Sequence, residues 1–571
     1  MKKKFEYSHV MANYEDLRNE RTDWEAEYRQ ISDYLLPGRG IYSTYSKPRK
    51  RKLTSPKVVN NSGEDALYVL TSGMHGGLTS PSRPWFQFGW SDYRIDEIEP
   101  LKAWLQQCSE IIHGFLHSSN FYSVMNSFYV EYAGFGTGCE YVGEDSETDI
   151  TPYRFELLTA GEYVFALGAE GRPSTFMRTI FLTPRQMVEK FPDTVSSETK
   201  RKVKANDAGT DKSYITVVEA VYHEPYGDKP FTQIYYEVTS STGQTSKGAE
   251  PKKPLKMAGF YEFPYMVSRW GTIGSDTYGI GPGSRALPDI KRLQEMEKAF
   301  LMATHKAINP PLNAPSRMKG KLNTLPGGKN YYANLAETVN EIYQVRFDYT
   351  GVGGAIERVE QRIQRNFFND IFLTASRDPN ASPLKARQVD VQDQEKMLRL
   401  GPVIERLGHE FLHPLIERCF KIALRRELLP PLSPELADLA GDFTISLISP
   451  LATAQRAVAL QGIHGFMGTI GQMAQFDQSV IDNIDVDEAA REIGDIYGVK
   501  LGVIRPEEDV KALRQARAKA QEAEKQKQEQ VAMAQAQSQM DVDKATAQKT
   551  QSEAGLNLLE GQQVAQDMGV M

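Results

Sequence analysis

The sequence predicts an α+β protein that is mainly helical, and three observations carry that prediction. Apolar residues recur at three- and four-residue steps over much of the chain. Between about residues 134 and 270 the pattern changes to β-branched and aromatic strand segments. Further on, two amphipathic helices bracket a short insert rich in proline and glycine. At 571 residues the chain is too long for one core, and a prior of about 150 residues per domain gives roughly three or four units.

The first helix is expected over 11–36, where Leu17, Trp24, Tyr28, Ile31 and Leu35 share a face and Pro37-Gly38 ends it. A basic run, Lys47 to Lys52, follows in a turn-rich segment. A second helical pattern covers 62–78, and Thr79 to Pro84 reads as a loop. Trp85, Phe86 and Phe88 make a short strand. Residues 99–133 are helical with a break near Ser118-Ser119-Asn120. Strands then dominate, with Tyr214 to Tyr222 and Phe231 to Val238 as the clearest.

After the turn Gly279-Ile280-Gly281-Pro282-Gly283, residues Leu287, Ile290, Leu293, Met296, Phe300, Ala303 and Ala307 keep one apolar face. Pro288 suits the first turn of this helix, where its missing N–H costs nothing. Asn309-Pro310-Pro311 stops it, so the helix spans about 31 Å from Pro288. Residues 309–353 form a compact insert that Gly353-Gly354 closes. A second helix follows with Ile356, Val359, Ile363, Phe367 and Ile371 on one face. The pair forms a helical hairpin with a cap at its far end. A loop at Thr374–Ser382 leads to a helix expected to reach Leu428, kinked at Gly401-Pro402 and His413-Pro414. Residues 450–504 read as a small helical group. From about 506 the chain is rich in Ala, Gln, Lys and Glu, either a long solvated helix that needs copies of itself for support or a disordered tail.

Composition narrows the function classes. The formal net charge is −7, which argues against a protein that grips nucleic acid over a broad basic surface but permits one that lets a duplex slide past. Cys108, Cys139 and Cys419 are widely separated and form no CxxC pair, so neither a disulfide framework nor a cysteine zinc site is expected, and a reducing cytoplasm is the natural setting. No leader segment and no apolar run of about 18 residues is present, so no membrane partner is expected.

His409-Glu410-Phe411-Leu412-His413 is a formal HExxH, which on a helix could bind zinc with Glu410 as general base. Pro414 disturbs that turn, and Ile416 and Cys419 stand where a longer motif has glycine and histidine, so helix packing is the favoured reading. His113 and His117, another i, i+4 pair, are expected on an ordinary helix surface. Gly134-Phe135-Gly136-Thr137-Gly138 is not a GxGxxG fingerprint and no GxxxxGK occurs, so no phosphate-cradling loop is expected. No catalytic set and no metal or other cofactor is predicted, and the chain is not expected to be an enzyme.

Several ordered stretches together resemble a known family, the head-to-tail connecting (portal) proteins of short-tailed bacteriophages. They run from Asn60-Asn61-Ser62-Gly63 and Leu70-Thr71-Ser72-Gly73 through Trp85-Phe86, Ser119-Asn120-Phe121-Tyr122 and Phe135-Gly136-Thr137-Gly138. Phe263-Pro264-Tyr265, Arg269-Trp270, Tyr278-Gly279-Ile280-Gly281-Pro282, Leu325-Pro326-Gly327-Gly328 and Leu400-Gly401-Pro402-Val403 follow. The resemblance covers roughly residues 11–430 and implies a portal-type fold. Residues 1–284 would be the wing, 285–308 and 355–373 the helical stem, 309–354 a small α/β clip, and 374–382 a tunnel loop. Residues 383–432 would return to the wing, 433–505 would form a helical crown, and 506–571 a barrel-like helix or tail.

The resemblance further implies a homo-oligomeric ring, typically a dodecamer, in the virion's portal vertex, assembled in the host cytoplasm. Its expected partners are double-stranded DNA in the channel, the packaging terminase, major capsid and scaffold proteins, and tail adaptor proteins. Arg377, Lys385 and Arg387 flank the tunnel loop as candidate DNA contacts, with an ion pair to Asp378 or Glu395 as the competing reading. Arg317, Lys319, Lys321 and Lys329 lie in the clip, where a solvated face or contact with tail and packaging proteins is favoured over DNA. The run Lys47–Lys52 is favoured as a subunit or scaffold contact. Where relatives often have Thr-Ala-Thr-Glu-Val after the tunnel loop, this chain has Lys385-Ala386-Arg387-Gln388-Val389, so any role of that glutamate does not carry over. A zinc hydrolase and a virion protein without a channel are the rival classes.

Overall fold

The computed structural model describes residues 5–37, 57–91, 98–145, 151–204, 214–238 apart from 227, 253–331, 334, 338–342, 348–372, 399–432, 434, 442–449, 451, 466–473, 487 and 507–567. It is mixed α/β and mainly helical, as the sequence predicts. The chain divides into two compact units, residues 1–473 and 474–571.

In the first unit, α1 (Tyr7–Tyr34), α2 (Ser62–Leu78), α3 (Glu99–Ser118) and α4 (Phe121–Phe135) alternate with a short strand, β1 (Phe86–Trp90). The strand-rich block follows. β2 (Thr137–Glu144) and β3 (Tyr153–Leu158) belong to a three-stranded sheet completed by β9 (Tyr265–Arg269). β4 (Tyr163–Leu167), β5 (Pro173–Leu182), β6 (Ile215–Tyr222), β7 (Phe231–Val238) and β8 (Lys256–Phe260) form an antiparallel meander in that order. Two short helices, α5 (Pro184–Lys190) and α6 (Ser197–Lys204), interrupt it. Sequence periodicity missed both, since each is too short to display one.

Both helices of the expected hairpin are present with shifted ends. The first, α7, runs Pro282–Ile308, so Pro288 lies inside the helix rather than in its first turn; Pro282 takes the N-terminal position that tolerates a missing N–H. The second, α8, runs Tyr349–Asn366, and Gly353-Gly354 lie within it instead of closing the insert. Asp348 decides that start, because its carboxylate caps the helix by accepting from the Gly351 N–H at 2.9 Å. A four-residue turn, α9 (Asn369–Phe372), follows. The insert carries only a two-residue ribbon, β10 (Leu312–Asn313) with β11 (Asn340–Glu341), and a 3-10 turn at Ser316–Met318.

Of the expected kinked helix, residues 383–398 lie outside the described residues; the remainder runs from α10 (Gly401–Leu407) through a π-turn (Gly408–Leu412) into α11 (His413–Arg425). Pro414 sits in the first turn of α11, and the irregular turn just before it is where its ring and missing N–H would otherwise clash. Glu427, at φ 55°, ends the run before Leu428. Residues 443–447, within the 433–505 stretch for which the resemblance implies a helical crown, form β12 (Phe443–Leu447), which pairs antiparallel with β1; alternation is hard to see in so short an edge ribbon.

One large core joins the C-terminal half of α1 with α2, α3, α4, α7, α8, α10 and α11. A second lies between the N-terminal half of α1 and one face of the meander, a third between the two sheets, and a fourth under α5. α1 therefore stitches two cores together: Val10, Tyr14 and Leu17 serve the meander, while Tyr28 and Ile31 serve the helical core. Between them Arg21 is buried, donating to the Tyr163 carbonyl and pairing with Glu25 at 2.9 Å.

The second unit contains α12 (Glu507–Asp567), 61 residues and about 92 Å long. Every side chain from 511 to 558 is exposed. Along it Ala512, Ala520, Ala523, Val531, Ala534, Val542, Ala545, Leu556 and Val564 follow alternating steps of eight and three, broken only by Glu553.

Candidate portal hairpin and its root

The root of the hairpin is built from backbone. Gly136 ends α4 at φ 79°, and a β-carbon there would stand 2.4 Å from the Gly279 carbonyl oxygen. A β-carbon on Gly283 would lie 2.1 Å from the Gly134 oxygen. Only glycine permits either approach. Hydrogen bonds fix the register: Trp270 N–H donates to the Gly136 oxygen (2.8 Å), Gly279 N–H to Thr137 Oγ1 (2.8 Å), and Ile280 N–H to the Gly271 oxygen (2.7 Å). The two glycine strings seen in the sequence thus interlock with each other.

From this root α7 buries Ala286, Leu287, Ile290, Leu293 and Gln294. α8 returns antiparallel: Arg362 pairs with Asp289 (2.9 Å) near the root, Phe300 meets Tyr349 edge-on further out, and Leu312 pairs with Glu341 at the ribbon. Ile356, Val359 and Ile363 are its buried face.

A polar clasp ties both helices to the chain just before α2. Gln294 Oε1 accepts from the backbone N–H groups of Val59 (2.7 Å) and Asn60 (2.9 Å), and Gln294 Nε2 donates to the Asn60 oxygen (2.8 Å). Asn60 Nδ2 donates to Glu297 (2.9 Å) and Glu360 (3.0 Å), and Ser62 Oγ to Glu360 (2.7 Å). Beyond the clasp the outer part of α7 shows apolar side chains to solvent among the described residues. Leu301 is 50% exposed, Met302 53% and Ile308 70%.

Lys319, Lys321 and Lys329 lie at the tip and are all exposed. Arg317 falls in the 3-10 turn, its side chain outside the described residues. Arg377, Lys385, Arg387 and the run Lys47–Lys52 also lie outside them. The structure thus brings the three clip lysines to one end of the hairpin. Sequence reasoning missed Gln294, Glu297 and Glu360 as partners of Asn60, because nothing local marks a residue as the far half of a clasp more than 230 positions away.

The HExxH segment falls on the π-turn, and its glutamate is already engaged. Glu410 accepts from the Arg269 backbone N–H (2.8 Å) and pairs with its guanidinium (2.6 Å), capping the open edge of β9. Asn120 does the same for β3, bonding the Phe155 N–H (3.1 Å) and oxygen (2.7 Å). His113, expected on a helix surface, instead stacks on Phe86 at 4.0 Å and contacts its carbonyl oxygen; burial lowers its pKa.

Between the sheets, burial opposes ionisation of Glu219, but the Arg178 guanidinium at 2.6 Å outweighs it and holds the carboxyl below its usual range. Glu140 on β2 has no such partner: it is fully buried, both oxygens lack hydrogen bonds among the described residues, and burial pushes its pKa well up.

The sequence profile of the family described as "Bacteriophage head to tail connecting protein" matches residues 8–504. The chain is 32% identical over 513 residues to the probable portal protein of Bordetella phage BPP-1, covering 89% of this chain and 90% of that one. It is 31% identical over 526 residues to the portal protein of Salmonella phage epsilon15, covering 90% and 91%. A solved chain from the virion of a native gene transfer agent particle covers 71% of this chain and 89% of its own, with TM-score 0.32 and 9% identity, a likeness too distant to carry structural detail. With a profile match across most of its length and two relatives above 30% identity, the chain belongs to the bacteriophage head-to-tail connecting protein family.

Proposed function

We propose that this chain is a phage portal protein, a structural component of the virion rather than an enzyme. Copies close into a ring, a dodecamer on our reading, at one capsid vertex. Double-stranded DNA passes through the centre during packaging and ejection. The observation that carries this is the α7–α8 hairpin. It is rooted by interlocked glycines, clasped at Asn60, and carries Leu301, Met302 and Ile308 exposed among the described residues. An amphipathic hairpin left half bare is suited to packing against its neighbours in a circle.

On this reading the strand-rich first half is the wing, α7 and α8 the stem, and the ribbon with Lys319, Lys321 and Lys329 the clip that meets the terminase and then tail adaptors. Residues 374–382 are the tunnel loop, and Arg377, Lys385 and Arg387 place a positive girdle around the lumen. Residues 433–505 form the crown, and capsid and scaffold proteins are partners of the assembled ring. The eleven-residue spacing on α12 suits copies that wind together with a right-handed sense into a barrel. The net charge of −7 fits passage rather than capture, since each phosphate neutralised by Lys or Arg adds affinity. The protein assembles in the host cytoplasm and ends in the virion.

Electron microscopy of the purified full chain tests this. A closed ring with a central hole is expected. A protein that stays monomeric at all concentrations, with or without scaffold, would sink it.

A further inference from the structure

We propose that residues 366–372, between α8 and α9, form a two-state joint, with the bent form described above and a straight form in which α8 continues unbroken through Phe372. The sequence favours the straight form. Ile356, Val359, Ile363, Phe367 and Ile371 hold one apolar face at helical spacing across the bend, with neither glycine nor proline between 355 and 372 to stop a helix. The chain nevertheless breaks at Phe368, which sits at φ 56°. That region is strained for a bulky L-residue, and a conflict between local preference and the observed form marks an element with two arrangements close in energy.

The bend is held by contacts that only residues beyond it make. Phe372 lays its ring on Gly73 of α2, so closely that a β-carbon at 73 would stand 2.2 Å from a ring carbon. The buried Asn369 side chain, with its amide turned to donate, reaches the Ala66 carbonyl at 2.9 Å. From the far side Arg399 stands over the Phe368 ring at 5.2 Å and pairs with Asp370 at 3.2 Å, while Trp270 lies against the same ring. Gly73 belongs to the Leu70–Gly73 string picked out in the sequence, and this notch is its physical use. Any change that weakens the notch or the arginine clamp shifts the joint toward the straight form.

The sign of a glycine–alanine comparison at 368 reports which form is occupied. At positive φ glycine is the better residue, whereas inside a straight helix alanine is better. Full-length Phe368→Gly is expected to melt about 1 °C above Phe368→Ala, the shift that about 1 kcal/mol gives in a chain of this length. Placing Gly73→Ala beside each should shrink or reverse that gap, because the added methyl penalises only the bent form. Alanine at 368 melting higher with Gly73 intact, or a gap unchanged by Gly73→Ala, overturns the proposal. If Gly73→Ala does not fold, hydrogen exchange of residues 366–372 replaces it: exchange roughly fivefold slower in Phe368→Gly than in Phe368→Ala is expected, and equal rates overturn the joint.

Discussion

Glu140 shows how a single residue can set the pH behaviour of the fold. Its carboxyl is buried on the central strand of the three-stranded sheet with no hydrogen-bond partner among the described residues, so the folded chain keeps the proton that the unfolded chain releases. A carboxyl whose folded pKa is raised gives its full stability below the unfolded value near 4.5 and loses it as pH climbs toward the folded value. Over that window the wild-type protein should lose about 1.4 kcal/mol per pH unit from this group. Glu140→Gln has no proton to lose, so its denaturation midpoint should fall less between pH 5 and 8 than the wild type's. Parallel pH profiles for the two proteins would show that Glu140 ionises without cost. Glu219, buried between the sheets, behaves oppositely, since Arg178 keeps it charged.

At the scale of elements, the clasp decides whether the hairpin stands firmly on the helical core. Asn60→Ala removes two donor bonds to Glu297 and Glu360 but leaves the Gln294 bonds to the backbone, so it should cost about 1–3 kcal/mol. Asn60→Asp should cost more, because a third carboxylate faces those of Glu297 and Glu360. Thermal unfolding with hydrogen exchange in α7 and α8 checks the order. The helices themselves were legible in the sequence, since Ile290, Leu293, Ile356 and Val359 announce their buried faces by spacing alone. Their ends were not: Asp348 as a cap, Pro288 inside α7 and the turn at Phe368 are each settled by partners distant in the chain or by one side-chain contact. β12 was missed for the same reason, because the strand it pairs with, β1, lies more than 350 residues earlier. Of the candidate site, the string around Asn60 was visible as a motif, but its meaning as a clasp required Glu297 and Glu360 beside it.

For the whole molecule, the charge economy is the physical constraint. If copies ring a DNA path as proposed, a net charge of −7 per chain disfavours broad capture of the duplex and leaves any checking of it to a few bases. On the proposed placement, Lys385→Ala with Arg387→Ala leaves rings intact in the microscope and reduces the DNA retained in packaged particles. It should also flatten the salt dependence of whatever retention remains. Particles with unchanged retention and unchanged salt dependence would remove these two residues from the lumen; loss of the rings themselves would assign them to subunit contact. α12 adds a second constraint at this scale: from 511 to 558 every side chain is in solvent, so within the described residues that stretch has only helix propensity to support it, and packing against copies would add the missing support.

The glycine root has a mechanical meaning. Where Gly283 rides on Gly134 and Gly136 on Gly279, main chain bears on main chain, with no rotamer between them to swing or yield. A push delivered at the tip of the hairpin therefore reaches β2 and the sheet behind it undamped, as through a rivet rather than a cushion. Neither half of that rivet can acquire a side chain unless the other half retreats, which ties the two glycine strings, some 145 residues apart, to a common fate.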